Sequence, residues 1–376
     1  MSSKVSGAWF RVSAEPRNRV VCKLSFVVCL LAAEFSFGFT ANAQSVTNDK
    51  VDEAVAQGVE FLLTKQKPSG EISNDRYGTA MTSLAIMAIC APGHTPSEKT
   101  REGEAAKKAL EFVLRDDRVE KGYFGERDHS RMYGHGIASV MLAEVIGMGV
   151  DKDQDFRVRD RLQKAMEVMY WSQERKSPNS KDQYGGWRYQ PKDMDSDLSI
   201  TIWQVMALRA AKNAGINVPH AVIDRAVDYI KRCYKSERDS NGKPKNLKSA
   251  CGYQPGWEPH YSSAAAGLRA LQVCGEYDAL ETKGSAEWLH DHKVKHDERY
   301  FYYGSYYLAQ AMYQQGGDFA KESRLFIEAT MLDKQKPDGS WVSEDGQERE
   351  AGSVYSTSMA LLALSVKYHY LPLFER

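Results

Sequence analysis

A short helical pattern occurs six times between residues 50 and 376, and this repetition limits the possible folds more than any other property of the sequence. Each copy places an acidic residue among apolar residues at helical spacing. In the fourth copy, Ile223, Ala226, Val227 and Ile230 follow the i, i+3, i+4, i+7 rule. The acidic positions lie 41 to 61 residues apart and are Glu60, Glu111, Glu167, Asp228, Glu287 and Glu328. Such self-similarity predicts repeated units that share one core.

A glycine turn with an aromatic or apolar partner follows most of these helices. The clearest copies are 66–72, 183–187 and 335–341, and divergent copies lie at 122–125 and 251–254. Glycine permits a positive φ, and the glutamine that opens the clear copies can bind free backbone groups at a helix end. Each turn leads into a second, more apolar helix, so the repeating unit is a pair of helices.

Six such pairs predict about twelve helices, and no segment shows the alternation of a convincing strand. We predict an all-α fold, an (α/α)6 toroid of about six helical hairpins, with residues 44–376 as one domain. An open solenoid of the same pairs is the alternative. Closure is favoured because tyrosines recur at the starts of the second, inner helices, as if they converged on one cavity: Tyr77, Tyr133, Tyr261, Tyr303 and Tyr355.

Residues 1–43 have the layout of a secretory signal. Five basic residues precede the apolar run 24–33, and Ala41 and Ala43 offer a small-residue cleavage site. We expect cleavage near Ala43 and export to the periplasm, the cell envelope or the medium. An uncleaved N-terminal anchor is the alternative, because Glu34 interrupts the apolar stretch. No later segment approaches the length of a membrane span.

Composition excludes several classes of function. The chain has 50 Lys and Arg against 50 Asp and Glu, which argues against a nucleic-acid surface spread over the molecule. It has no glycine-rich phosphate loop, nucleophile elbow or dinucleotide fingerprint. We therefore expect no nucleic-acid partner and no cofactor. Four cysteines beyond residue 43 are too few for a disulfide framework.

The turn of glutamine, glycine and tryptophan after an apolar helix resembles the repeat of squalene and oxidosqualene cyclases and of protein prenyltransferase β subunits. Segments 133–136, 185–189 and 370–372 also resemble secreted squalene-cyclase-like proteins of planctomycete bacteria. The resemblance covers roughly residues 50–376. It implies a terpenoid-cyclase-like α/α toroid that accepts an apolar small molecule, although one scaffold carries many functions.

The same resemblance implies a catalytic acid. The cyclases carry an Asp-x-Asp-Asp motif at the start of an inner helix, and its middle aspartate protonates an alkene. Asp195 and Asp197 match the first and middle positions, while Leu198 replaces the last aspartate. Asp197 would donate the proton and Asp195 would tune its acidity. The alternative is that Asp197 caps the free N–H groups of a helix.

The predicted cavity is lined mainly by aromatic side chains. They would stabilise a carbocation by cation–π contact, or they would form the core of the funnel. His135, between two glycines, would act as a general acid or base, or would bind a helix end. The full set of expected cavity residues is Tyr133, His135, Trp187, Trp203, Tyr261, Tyr302, Tyr303 and Tyr306.

Metal and thioester sites fit the sequence poorly. Protein prenyltransferases hold zinc with an Asp-x-Cys pair, and none of the four later cysteines has aspartate two residues before it. His290, His292 and His296 have metal-like spacing but lie in a charged run that reads as a loop, so no metal is expected. Cys251 and Gln254 match the spacing of a complement-type thioester, yet a glycine turn is expected there.

Two further functions remain beside cyclisation. A carbohydrate-active toroid would use paired carboxylates and stacking aromatics, and acidic residues are available near the inner-helix starts. These are Glu126, Asp128, Asp195, Asp197 and Glu258. A non-catalytic exported binding module would hold a peptide, glycan or lipid, with an envelope protein or glycan as partner. The residues alone leave these functions open.

Overall fold

The computed structural model describes residues 49–372, apart from residues 150, 178, 181 and 293. The chain divides into two units, Met1–Thr47 and Asn48–Arg376, and the described residues all belong to the second. The predicted signal and its cleavage site near Ala43 therefore lie outside the described residues. No helix in the described part is long and apolar enough to cross a membrane.

The described part contains thirteen α-helices and isolated β-bridges but no extended strand. The helices are α1 (Lys50–Thr64), α2 (Gly78–Cys90), α3 (Arg101–Leu114), α4 (Arg131–Glu144), α5 (Lys152–Glu174), α6 (Leu198–Asn213), α7 (His220–Cys233), α8 (Tyr261–Val273), α9 (Leu280–Asp291), α10 (Phe301–Gln315), α11 (Gly317–Lys334), α12 (Gly346–Arg349) and α13 (Ser353–Leu364). Short 3-10 turns cover Asp116–Arg118 and Ser365–Tyr368. The predicted all-α class is confirmed.

Six helices form a closed inner ring. Contacts run from α2 to α4, α6, α8, α10 and α13, and α13 packs back against α2. The outer helices α1, α3, α5, α7, α9 and α11 each precede an inner helix, and α1 packs on α11 to complete the outer layer. This closure excludes the open solenoid and confirms the α/α toroid.

Burial differs between the two layers as this arrangement requires. Every residue of α8 is buried, because an inner helix is surrounded by its ring neighbours and by the outer layer. The outer helix α7 buries one face, which includes Ala226, Tyr229 and Ile230. The amphipathic pattern read from the sequence is therefore that of the outer helices, and the more apolar segments form the inner ring.

The glycine turns lock each repeat onto the next outer helix. Gly185 has φ +99°, and a Cβ there would lie 2.1 Å from the carbonyl oxygen of Arg225 on α7. Gly339 has φ +84°, and its Cβ would lie 2.3 Å from the carbonyl oxygen of Gln57 on α1. No side chain fits at either position. The second contact joins the last repeat to the first, so the turn itself closes the toroid.

The repeat glutamine binds the backbone on both sides of this contact. Gln335 Nε2 donates to the carbonyl oxygens of Gly339 (3.0 Å) and Ala54 (2.8 Å). In the third repeat this role belongs to Gln173, which donates to Gly185 at 2.7 Å, and not to Gln183, the glutamine that the sequence places beside the turn. An insertion separates helix from turn there, and Gln183 instead accepts the N–H of Ser196.

Candidate functional site

The N-terminal ends of the inner helices share one end of the toroid, because outer and inner helices alternate in direction along the chain. The long turns that precede the inner helices lie at this end. It holds a cluster of charged and phenolic side chains that we call the mouth, defined as Tyr133, Arg188, Tyr189, Asp195, Asp197, Ser199, Tyr253 and Tyr303.

Asp197 is the N-cap of α6 and is fully buried. Its Oδ1 accepts hydrogen bonds from the N–H of Ile200 (2.9 Å) and the hydroxyl of Ser199 (2.6 Å). This is the geometry of a helix cap, in which a side-chain oxygen binds N–H groups that lack partners within the helix. One oxygen of the carboxylate is therefore committed to α6.

Arg188 binds the other oxygen of the Asp197 carboxylate. Its Nη1 lies 3.2 Å from Oδ2 of Asp197, and its Nε lies 3.2 Å from Oδ2 of Asp195. The two aspartates that the sequence singled out thus share a single guanidinium. Asp195 is half exposed, whereas Asp197 is not exposed at all, so only Asp195 presents free carboxylate surface at the mouth.

Burial raises the pKa of Asp197, because a charged carboxylate loses its hydration there. The hydrogen bonds from Ser199 and Ile200 and the charge of Arg188 oppose that rise. A proton on Oδ1 would compete with the cap, and a proton on Oδ2 would weaken the pairing with Arg188. The surroundings of Asp197 therefore fix the position of its carboxylate and do not favour proton donation from it.

Tyrosine hydroxyls surround Ser199. The hydroxyl of Tyr133 lies 2.5 Å from Ser199 Oγ, and the hydroxyl of Tyr303 donates to the Ser199 carbonyl oxygen at 3.3 Å. Tyr303 belongs to α10, which is separated from α6 in the ring by α8. Its contact with Ser199 therefore spans the lumen of the toroid just inside the mouth.

Below this contact the lumen is filled by aromatic rings. Trp203 on α6 stacks on Tyr306 of α10 with 5.8 Å between ring centroids, and it meets the edge of Tyr307 at 5.9 Å. All three side chains are fully buried. The structure therefore places Trp203 and Tyr306 together across the lumen as packed core, so the mouth is closed beneath by rings.

Three other residues expected in the cavity instead form hydrogen bonds within the helix layers. Trp187 Nε1 donates to the carbonyl oxygen of Met169 at 2.9 Å. The hydroxyl of Tyr302 lies 2.9 Å from His296 Nε2, and that of Tyr261 lies 3.0 Å from Ser305 Oγ. The side chains of Trp187, Tyr261 and Tyr302 are buried and fix turns and neighbouring helices. Only the backbone of Trp187 meets Asp197, because its carbonyl oxygen accepts the Asp197 N–H at 2.9 Å.

His135 is also buried and has both ring nitrogens engaged. Nδ1 accepts the N–H of Phe124 at 3.4 Å, and Nε2 lies 3.1 Å from the carbonyl oxygen of Ala165. Burial lowers the pKa of His135 to about 4, so the ring is neutral near pH 7. In other repeats a threonine hydroxyl accepts the corresponding turn N–H, at Thr82, Thr201 and Thr357. His135 thus fastens the turn of its repeat.

Several mouth residues were not predicted as site residues. The hydroxyls of Tyr189 and Tyr253 lie 2.6 Å apart, and Arg188 Nη1 lies 3.2 Å from the Tyr253 hydroxyl. The guanidinium also covers the ring of Tyr189, 4.6 Å from its centroid. Arg188 and Tyr189 directly follow the turn tryptophan, and this adjacency was the one local signal that pointed to them.

An exposed tryptophan extends the mouth outward. Trp257 is 56% exposed and meets the ring of Tyr253 with 5.5 Å between centroids. It lies in the same turn as Cys251 and Gln254, the candidate thioester pair. Gln254 Nε2 donates to the carbonyl oxygen of Ser196 at 2.6 Å, and Cys251 is buried. The turn thus presents an aromatic surface beside Arg188.

Among the residues that the structure describes, no group of three or more His, Cys, Asp or Glu side chains is arranged to hold a metal ion. The carboxylates and Arg188 of the mouth satisfy one another instead. The chemistry that this donor set offers is hydrogen bonding by phenols, one half-exposed carboxylate and one guanidinium, next to exposed ring faces.

Neither a protein-family model nor a curated protein matches the chain by sequence. Solved structures match it by fold. An inactive variant of the α-1,6-mannanase GH76A of Salegentibacter sp. HEL1_6, in complex with α-1,6-mannotriose, superposes with a TM-score of 0.59 at 10% identity over 85% of this chain and 99% of that one. The chain is an α/α toroid. Its likeness to the cyclase fold, inferred from the repeats, is confirmed at the level of architecture.

Two other neighbours show how varied the chemistry of this fold is. A type II terpene cyclase from Scytonema has a TM-score of 0.53 at 14% identity, over 84% of this chain and 97% of that one. A cellobiose 2-epimerase from Bacillus thermoamylovorans B4167 has a TM-score of 0.57 at 11% identity, over 84% and 99%. At such identities the likeness concerns the fold alone, and function depends on the side chains of the mouth.

Proposed function

We propose that the mouth binds a carbohydrate, by stacking a sugar ring on Trp257 and binding its hydroxyls through Asp195, Arg188 and the neighbouring phenols. The observation that carries this proposal is the position of the exposed Trp257 ring against Tyr253. The hydroxyl of Tyr253 contacts Arg188, which in turn binds the half-exposed Asp195. Binding sites commonly combine apolar ring surface with a few fixed polar groups that orient the ligand.

Binding without hydrolysis fits the carboxylates best. A glycosidase uses one protonated carboxyl group and one free carboxylate on opposite sides of the scissile bond. Asp195 and Asp197 instead bind the same guanidinium, and Asp197 also caps α6. Neither aspartate is placed to act as the second member of a catalytic pair, so we assign recognition to the mouth.

Acid-catalysed cyclisation of an apolar polyene is the second candidate. One observation favours it, namely that burial raises the pKa of Asp197 beside several tyrosine rings. The filled lumen counts against it, because Trp203, Tyr306 and Tyr307 occupy the space in which a polyene would fold. The engagement of both Asp197 oxygens also counts against it.

Export, predicted from residues 1–43, supports a glycan ligand. An exported protein meets envelope polysaccharides, whereas isoprenoid precursors belong to the cytoplasm. Fractionation of cells that express the full chain tests this part of the proposal. We expect the processed protein in the periplasmic, envelope or medium fraction, and recovery of the unprocessed chain from the cytoplasm would contradict it.

The binding test is calorimetric titration with mannotriose and cellotriose, chosen because two fold neighbours are a mannanase and a cellobiose epimerase. Trp257→Ala should weaken binding at least tenfold, since stacking and burial of one aromatic ring are worth about 1.5 kcal/mol or more. Trp171→Ala is the matched control, because Trp171 is 49% exposed on the outer helix α5. Equal affinities of both variants and the wild type, or binding of geranylgeraniol alone, would overturn the proposal.

A further inference from the structure

A groove of about 400 Å³ lies between α10, α11 and α13, at the opposite end of the inner helices from the mouth. Its wall is apolar where Ile327, Ala363, Leu364 and Val366 line it. Small-molecule sites usually measure about 300–1,000 Å³ and are lined mainly by apolar side chains. The groove therefore has the size and lining of a ligand site, and the proposed carbohydrate site does not use it.

The rim of the groove is cationic. Lys321, Arg324 and Lys367 line it together with a single carboxylate, that of Glu328. Lys367 is held by Asp49 and Asp52 at 3.0 and 2.8 Å. Arg324 Nη1 lies 3.6 Å from Glu328, beyond hydrogen-bond distance, and Lys321 is exposed. Lys321 and Arg324 are thus the cations best placed to meet an anion.

The N-terminus of α11 adds to this positive potential. Gly317, its first residue, lines the groove, no side chain caps the helix, and the exposed Asp318 is the one acidic residue of its first turn. The first N–H groups of a helix lack partners within it, and together with the aligned peptide dipoles they attract an anion. The helix N-terminus and two side-chain cations one to two turns further on therefore act on the same end of the groove.

The packing of α11 allows the groove to adapt. Only Ile327 and Met331 are buried among its 18 residues. Gly316 and Gly317 join it to α10 with φ of +76° and +56°, and a Cβ at either position would meet nothing within 4 Å. An outer helix with few buried anchors and an uncrowded glycine corner moves at low cost.

We propose that this groove binds a single-chain anionic amphiphile, with its carboxylate on Lys321, Arg324 and the N-terminus of α11, and its hydrocarbon chain against Ile327, Leu364 and Val366. The head group pairs with cations that outnumber the single carboxylate of the rim, and the chain packs against the apolar wall. A neutral sugar offers neither feature, so the ligand class differs from that of the mouth.

The test is calorimetric titration of the full chain with dodecanoate below its micellar concentration, with dodecanol as the uncharged probe. We expect micromolar binding of dodecanoate and at least tenfold weaker binding of dodecanol. Lys321→Gln combined with Arg324→Gln should weaken dodecanoate binding at least tenfold. The control combines Lys107→Gln with Lys108→Gln on α3. It removes the same amount of charge away from the groove and should leave dodecanoate binding unchanged.

A second variant fills the groove and keeps its charges. Ala320→Trp places a ring there from a half-exposed position, so folding should persist while both probes lose affinity. Unchanged dodecanoate binding in Ala320→Trp would overturn the proposal, and so would equal binding of both probes to the wild type. Trp257→Ala should leave dodecanoate binding unchanged. Loss of dodecanoate binding in Trp257→Ala would show that the ligand binds at the mouth, and this result would also overturn the proposal.

Discussion

Arg188 Nη1 lies 3.2 Å from Oδ2 of Asp197, a carboxylate that has no exposure to solvent. The same guanidinium reaches Asp195 and the Tyr253 hydroxyl. Arg188 therefore joins the cap of α6 to the turn that precedes α8. A buried carboxylate is tolerated only when its charge is paired and its oxygens are hydrogen-bonded, and the pairing of the Asp197 charge depends here on this contact.

Replacing Arg188 by Gln should destabilise the toroid by about 3 kcal/mol, because it leaves the charge of Asp197 buried without its partner. The double variant Arg188→Gln, Asp197→Asn should recover part of that loss, since asparagine still caps α6 without a charge. Urea denaturation at pH 7 measures both values. If the double variant were less stable than the single variant, the pairing of Arg188 with Asp197 would not be the cause.

His135 should make stability depend on pH. Its native pKa is about 4, below the ordinary value of 6.5, so between these values the unfolded chain binds a proton that the native chain does not. Stability therefore falls as pH drops through this window, by about 2 kcal/mol between pH 7 and 4.5 for this group. His135→Thr, which installs the threonine of other repeats, should remove that part of the slope.

Denaturation curves of wild type and His135→Thr at pH 7, 5.5 and 4.5 measure this difference. The comparison subtracts carboxylates that titrate in both proteins, so only the histidine contributes. A cavity left by the smaller side chain lowers stability equally at every pH and does not alter the slope. Parallel pH profiles for the two proteins would show that His135 is not held neutral by the fold.

The closing turn predicts an effect on the ring as a whole. Gly339→Ala adds a Cβ 2.3 Å from the carbonyl oxygen of Gln57, so α1 must shift. We expect a loss of about 3 kcal/mol, the sum of backbone strain and displaced packing. Gly242→Ala is the matched control, because Gly242 has φ +75° but open space around it, and should cost about 1 kcal/mol. Equal losses in urea melts would contradict closure through Gly339.

The fold was largely predictable because its signals are local. Helical periodicity around Glu60 or Asp228 and the glycine turns each occupy about ten residues, and their repetition specifies paired helices. The register of the third repeat was not predictable, since the insertion before Gly185 placed a second glutamine, Gln183, close to the turn, two residues before the glycine instead of four. Gln173 holds the turn instead, and only the packing against α7 distinguishes the two.

The mouth was predictable only in part. The sequence located Asp195 and Asp197 and the helix start they precede, and it allowed capping as the role of Asp197. It did not predict Tyr253 as a mouth residue, because Tyr253 lies more than 50 residues further along the chain. Its contact with Arg188 depends on how the turns of adjacent repeats meet. The aromatic content of α6 and α10 was visible, yet whether Trp203 and Tyr306 line a cavity or fill it depends on side-chain direction.

The filled lumen predicts that removal of Trp203 creates a cavity. Trp203→Ala should cost about 4 kcal/mol, because the stacked rings of Tyr306 and Tyr307 lose their partner across the lumen. Indole added to the variant should restore part of this stability, as apolar cavities bind small aromatic molecules. Thermal denaturation with and without indole measures the rescue, and Trp257→Ala, which removes an exposed ring, serves as the control that indole should not rescue. A loss below about 1 kcal/mol for Trp203→Ala would mean that the lumen is open, and the polyene-cyclisation hypothesis would then regain the space it requires.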